Sequence, residues 1–125
     1  MIEGLGFCVI YRARIRPGME AQYIAAWSTL TSLIRAERGG LGSRLHKGTD
    51  GIWYAYAQWP SAQARSDAFA LPSVHPAAQA DMADCVLEFL PEIPLDPIMD
   101  LLVPVSGWPP DNSPTSNPLR GPAQS

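Results

Sequence analysis

An α+β fold, with helices covering one face of a four-stranded antiparallel sheet, follows from three observations. Trp53-Tyr54-Ala55-Tyr56-Ala57-Gln58-Trp59 alternates residue by residue, as a strand does. From Met19 to about Arg38, apolar side chains recur at steps of three and four, as on a helix. The segments succeed one another in the order strand, helix, strand, strand, helix, strand.

Taken in order, Phe7 to Ile15 reads as the first strand. Phe7, Val9, Tyr11, Ala13 and Ile15 share one face, and Cys8, Ile10, Arg12 and Arg14 the other. Arg16-Pro17-Gly18 breaks it. In the long helix, Met19, Tyr23, Ala26, Trp27, Leu30, Leu33 and Ile34 form the apolar stripe, Glu20 suits the positive end of the dipole, and Gly39-Gly40 supplies the stop. Leu41 to Lys47 reads as a second strand. Gly48-Thr49-Asp50-Gly51 joins it as a hairpin to the strand from Trp53 to Trp59. Pro60-Ser61 ends that strand, with Ser61 as N-cap of a short helix to Phe69. A further helix is expected from Val74 to about Glu88, with Ser73 as its cap and Pro76 in its first turn. Pro91 and Pro94 count against a strand over Phe89 to Leu95, so the fourth strand is expected at Ile98 to Val103.

Residues 1–104 therefore read as one ferredoxin-like βαββαβ domain. Residues 105–125 read as a tail rich in Pro, Ser and Asn that cannot bury a core of its own, with Trp108 as its one anchor. The 125-residue chain is long enough for one such domain. Helices on one face leave the other face bare, and a symmetric homodimer packed sheet on sheet would cover it, giving a dimeric α+β barrel. Alternation does not decide which face of the strand from Trp53 to Trp59 meets the helices. The tryptophan–alanine row is the expected one.

Composition excludes several classes. A net charge of −3 gives no pull toward nucleic acid or an anionic membrane. No apolar run reaches the roughly 18 residues of a membrane span, and the N-terminus lacks the pattern of a secretory signal. A cytoplasmic location is expected. Cys8 and Cys85 read as small buried residues, and no Cys/His spacing suggests a metal site.

The runs Gly39-Gly40-Leu41-Gly42-Ser43-Arg44-Leu45-His46 and Trp53 to Ser61, with Arg16-Pro17-Gly18-Met19-Glu20 before the long helix, resemble the antibiotic biosynthesis monooxygenase domain family. The resemblance covers roughly residues 6 to 103 and implies a dimeric α+β barrel. It further implies cofactor-free oxygenation of a small aromatic or polyketide-like molecule, haem degradation, or small-aldehyde or lactone chemistry. The haem-degrading branch places an Asn near Tyr11, a Trp near Ala68 and a His near His75. Only the histidine is present here, so that branch is disfavoured.

The candidate catalytic residues are His75 as a general base, and Tyr56 and Arg44 as donors to a substrate anion. Tyr11, Trp27, Trp53, Trp59, Phe69 and Met82 are the candidates for a wall that stacks on a flat substrate. Arg12, Arg14 and Arg44 are otherwise expected in interstrand pairs, with a carboxylate such as Asp100, and His46 at the rim. No cofactor and no metal are expected. Two other functions stay open: a non-redox enzyme (cyclase, isomerase or decarboxylase) with the same pocket, and a non-catalytic dimer whose aromatics fill the space under the helices.

Overall fold

The computed structural model describes residues 6–103. The expected tail from 105 and its Trp108 lie outside the described residues. The elements are β1 (Phe7–Ile15), α1 (Glu20–Glu37), β2 (Ser43–Lys47), β3 (Trp53–Trp59), α2 (Ala62–Phe69), α3 (Pro76–Cys85) and β4 (Val86–Leu95). The sheet is antiparallel throughout, in the order β2-β3-β1-β4. This is the ferredoxin-like α+β arrangement.

β3 is central, and its two rows part company. Trp53, Ala55, Ala57 and Trp59 are buried under the helices, whereas Tyr54 and Tyr56 are half-buried and Gln58 is exposed. Across β1 the register sets Tyr11 against Ala55 and Val9 against Ala57, so the helix-facing row continues into the neighbouring strand. At one end of the space between the layers lies a packed cluster of Ala13, Tyr23, Trp53, Cys85 and Val86. Tyr23 meets Trp53 edge to face, with ring centroids 5.7 Å apart. Burial, with Asp81 and Asp84 nearby, pushes the Cys85 thiol upward, as befits a packing residue.

Local chemistry accounts for the boundaries. Gly39 takes φ +84° after α1, a left-handed stop open to glycine. Ser61 Oγ accepts from Ala64 N at 3.0 Å and caps α2. α3 is capped by the His75 imidazole, which accepts from Ala78 N at 3.0 Å through Nδ1. Ser73, the expected cap, instead accepts from His75 N at 3.2 Å and braces the turn before the helix. α3 also stops at Cys85 rather than Glu88. Arg16 N donates to the Cys85 carbonyl at 2.8 Å and Arg16 Nε to that of Asp84 at 3.1 Å, so the chain is drawn into the sheet from Val86.

The fourth strand is Val86–Leu95, and Ile98 to Val103 forms no strand. β4 lies at the sheet edge, where a residue without an N–H is tolerated. Between Ile10 and Arg12 the pairing on β4 runs from Ile93 to Leu90, so Pro91 and Glu92 together oppose Tyr11. This bulge absorbs Pro91, and Arg12 Nε and Nη2 donate to its carbonyl at 3.1 and 2.8 Å. Arg14 pairs with Glu88 rather than Asp100, and Lys47 with Glu20. Both pairs are exposed and worth at most about 1 kcal/mol each. No helix among the described residues is long and apolar enough to cross a membrane.

The hairpin before β3 has its own lock. The Asp50 carboxylate accepts from Tyr54 Oη at 2.6 Å and from Ile52 N at 2.9 Å, and these bonds hold its pKa below the ordinary 3.8. A carboxyl with a depressed folded pKa adds stability that is complete above its unfolded value and is lost as pH falls through the folded one. Asp50→Asn should therefore unfold at lower urea than the parent at about pH 6, with the two midpoints converging below about pH 3. Urea titrations at the two pH values check this.

Candidate functional site

Beyond the packed cluster, the layers separate. A cavity of about 630 Å³ opens between the sheet and the helices. Its floor is Ala55 and Ala57, whose side chains end at Cβ, and its walls include Trp59, Trp27, Phe69 and Met82. The backbone at Gly40 borders it as well. A Cβ there would come within 3.0 Å of Ile34 Cγ2 and 3.6 Å of Trp59 Cη2, so glycine leaves this end clear. The lining is mostly apolar, and a volume of this order accommodates a small polycyclic molecule.

Two polar groups on the wall stand out. Tyr11 Oη accepts from Arg65 Nε at 3.0 Å, which leaves its own proton free to be donated. Burial pushes the Tyr11 hydroxyl above its ordinary value of 10.0, and Arg65 offsets part of that rise, so it stays protonated at neutral pH. The Trp59 indole faces the same hydroxyl and lowers its pKa slightly, yet the two do not reach hydrogen-bond geometry. Nε1 of this 3% exposed side chain is the one buried side-chain polar atom without a partner among the described residues. Leaving such a donor unpaired costs about 1–3 kcal/mol.

Arg65 organises this corner. Nη2 binds Glu92 at 2.8 Å, and the guanidinium lies 4.9 Å from the Phe69 ring and 5.5 Å from the Tyr11 ring. Phe69 in turn meets Trp59 edge to face at 5.6 Å. Glu92, in the β4 bulge, is the only carboxylate that reaches the cavity wall among the described residues. Neither Arg65 nor Glu92 stands out in the sequence. Each is a single charged residue, and the contact with Tyr11 spans 54 positions.

The residues expected at the site divide into two groups. Tyr11, Trp27, Trp59, Phe69 and Met82 line the cavity. Trp53 does not, because it is consumed by the packed cluster. His75 is also outside the wall, with Nδ1 engaged as the α3 cap. Tyr56 and Arg44 face each other across β2 and β3 on the opposite side of the sheet. Strand parity separates them from the tryptophan row, so neither serves as a donor in this cavity. Tyr56 Oη instead lies 3.0 Å from Cys8 Sγ, beneath residues 97–102. His46 Nδ1 lies 3.2 Å from the Tyr54 carbonyl at an exposed position. Among the described residues no three His, Cys, Asp or Glu side chains come together in a way that could hold a metal ion.

Solved structures share the architecture. Rv0793 from Mycobacterium tuberculosis superposes with a TM-score of 0.62 at 20% identity, over 77% of this chain and 98% of that one. SnoaB, a cofactor-independent oxygenase from Streptomyces nogalater, gives 0.63 at 13% identity over 76% and 95%. A conserved protein from Methanosarcina mazei gives 0.62 at 9% identity over 74% and 93%. At these identities the likeness establishes the fold. No curated protein sequence matches the chain. The profile of one family, antibiotic biosynthesis monooxygenase, matches residues 6–81, from the start of β1 into α3. The chain belongs to the antibiotic biosynthesis monooxygenase family.

Proposed function

We propose that this protein is a cofactor-independent monooxygenase that oxidises an electron-rich aromatic molecule in the cavity between sheet and helices. The observation that carries this reading is the Tyr11 hydroxyl on an apolar wall, with Arg65 donating to it so that its own proton is free for a ligand. The family and the structural likeness to a cofactor-independent oxygenase support it.

The chemistry asks for an anion. A phenol or benzylic ketone loses a proton, and the resulting phenolate or enolate passes one electron to O₂. The substrate radical and superoxide then join through a new C–O bond. The peroxide takes up the proton and loses water, so that a CH₂ group and O₂ become C=O and H₂O. A neutral donor aimed at the substrate oxygen favours its anion without adding a charge of its own, and in a site that excludes water it acts strongly. Tyr11 takes that role, and the Trp59 ring forms the surface beside it. Glu92 is the base we assign in this reading, supported by its place on the cavity wall and by its contact with Arg65.

The open face of the sheet is the second part of the proposal. Cys8, Ile10, Tyr56 and Leu95 lie on it, and Ile98, Met99, Leu101, Leu102 and Val103 beyond β4 are 68–88% exposed. An apolar area of this kind calls for a partner, and a second copy of the chain packed sheet on sheet is the simplest one.

Two experiments test these statements. Purified, chelator-treated protein offered hydroquinones and anthrones should consume oxygen, with one O₂ for each anthrone converted to its quinone. Tyr11→Phe, which keeps the ring and removes the hydroxyl, should lower kcat/KM roughly 100-fold. Absence of uptake across the panel contradicts the oxygenase reading, and turnover without uptake points to the non-redox enzyme. In sedimentation equilibrium the chain should weigh twice its 13.6 kDa. Ile10→Glu, in the middle of the open face, should shift it toward the monomer.

A further inference from the structure

The charge on the cavity wall is unbalanced. Arg12, Arg35, Arg38 and a single carboxylate, Glu92, border it, in a chain whose net charge is −3. Arg12 donates to the Pro91 carbonyl, and one oxygen of Glu92 pairs with Arg65. Arg35 and Arg38 form no ion pair among the described residues. Arg38 donates one bond from Nη1, to the Pro72 carbonyl at 2.9 Å, and keeps its remaining donors.

Their placement is what gives the pair a use. Arg35 stands in the last turn of α1 and Arg38 at its C-cap, and both border the cavity. Cations suit the negative end of a helix dipole, which accounts for an arginine in the last turn. It does not account for both side chains bordering the cavity. Gly40 joins this end to the far edge of the Trp59 indole, while the indole N–H faces Tyr11. The Trp59 ring therefore runs from the arginine end to the donor end.

We propose that the substrate carries a carboxylate, held by Arg35 and Arg38 at the mouth of the cavity, while its aromatic body lies along Trp59 toward Tyr11. Two guanidinium groups offer paired N–H donors that match a carboxylate and cannot be deprotonated at any working pH. Arg35 and Arg38 are then specificity-determining residues, remote from the oxygen-bearing end of the substrate. This inference rests on the reading of the cavity as the substrate site.

Binding tests it without any oxygen chemistry. Anthraquinone-2-carboxylate and anthraquinone-2-carboxamide are already oxidised, and both would quench the tryptophan fluorescence of the wall. The carboxylate should bind about tenfold more tightly than the amide, and the gap should narrow at high salt. The Arg35→Gln/Arg38→Gln variant should bind the two alike, and the double lysine variant should recover part of the preference. Arg35 is exposed and Arg38 half-buried, and both lie outside the packed cluster, so the variants should fold, which circular dichroism checks. Equal affinities in the parent, a preference that survives the double glutamine change, or failure of both compounds to bind overturns the inference. Oxygen uptake without a carboxylate preference overturns this inference alone. A carboxylate preference without uptake overturns the oxygenase reading alone.

Discussion

The row Trp53, Ala55, Ala57, Trp59 on the helix side of β3 is the constraint on which the rest depends. A large residue at each end holds the helices off the sheet, and two methyl groups in between cannot fill the space that results. Trp53 is answered by Tyr23, Cys85 and Val86, which pack that end shut. Trp59 is answered by Phe69 and a glycine backbone, and its end stays open. One strand thus divides the interior into a core that supplies stability and a cavity that supplies a site. The cavity is open at its mouth, so its cost is smaller than that of a sealed apolar void.

The same alternation governs the reverse side. Tyr54 turns back onto Asp50 to lock the hairpin, and Tyr56 reaches Cys8. Being on the other parity, these tyrosines cannot face the cavity, whatever their chemistry suggests. The polar work inside it falls to Tyr11, which the register with Ala55 places over the floor. Arg65 and Glu92 then decide what the Tyr11 hydroxyl does: an arginine that donates to it leaves it a donor.

Much of this was legible in the sequence. The period of two over Trp53 to Trp59, the helical stripe after Met19, the two glycines at 39 and 40 and the cap at Ser61 all report on contacts within a few residues. Trp27 and Trp59 on the wall follow from these periods. Two kinds of feature escape such reasoning. Prolines at 91 and 94 argue against a strand only when the strand is central. That β4 sits at the edge, with a bulge opposite Tyr11, depends on pairing with β1 some 80 residues away. The apolar run from Ile98 to Val103 then looks like a strand but lies exposed. Arg65 and Glu92 come together only once α2 and β4 are in place. The nearest signal was the four-residue step from Arg65 to Phe69 on a short helix over β3. Tyr56 and Arg44 show the opposite error, since the alternation already set them apart from the tryptophan row.

The central claim is that the space above the two alanines is kept for a ligand rather than left over from packing. Ala55→Leu measures it. In an open cavity the added side chain buries apolar surface without displacing protein. The thermal midpoint should then hold or rise, while the binding of a flat aromatic compound, read by tryptophan quenching, should disappear. Were the aromatics close-packed over Ala55, the added atoms would overpack the interior. Stability would then fall by about 1–3 kcal/mol, and that result would contradict the account.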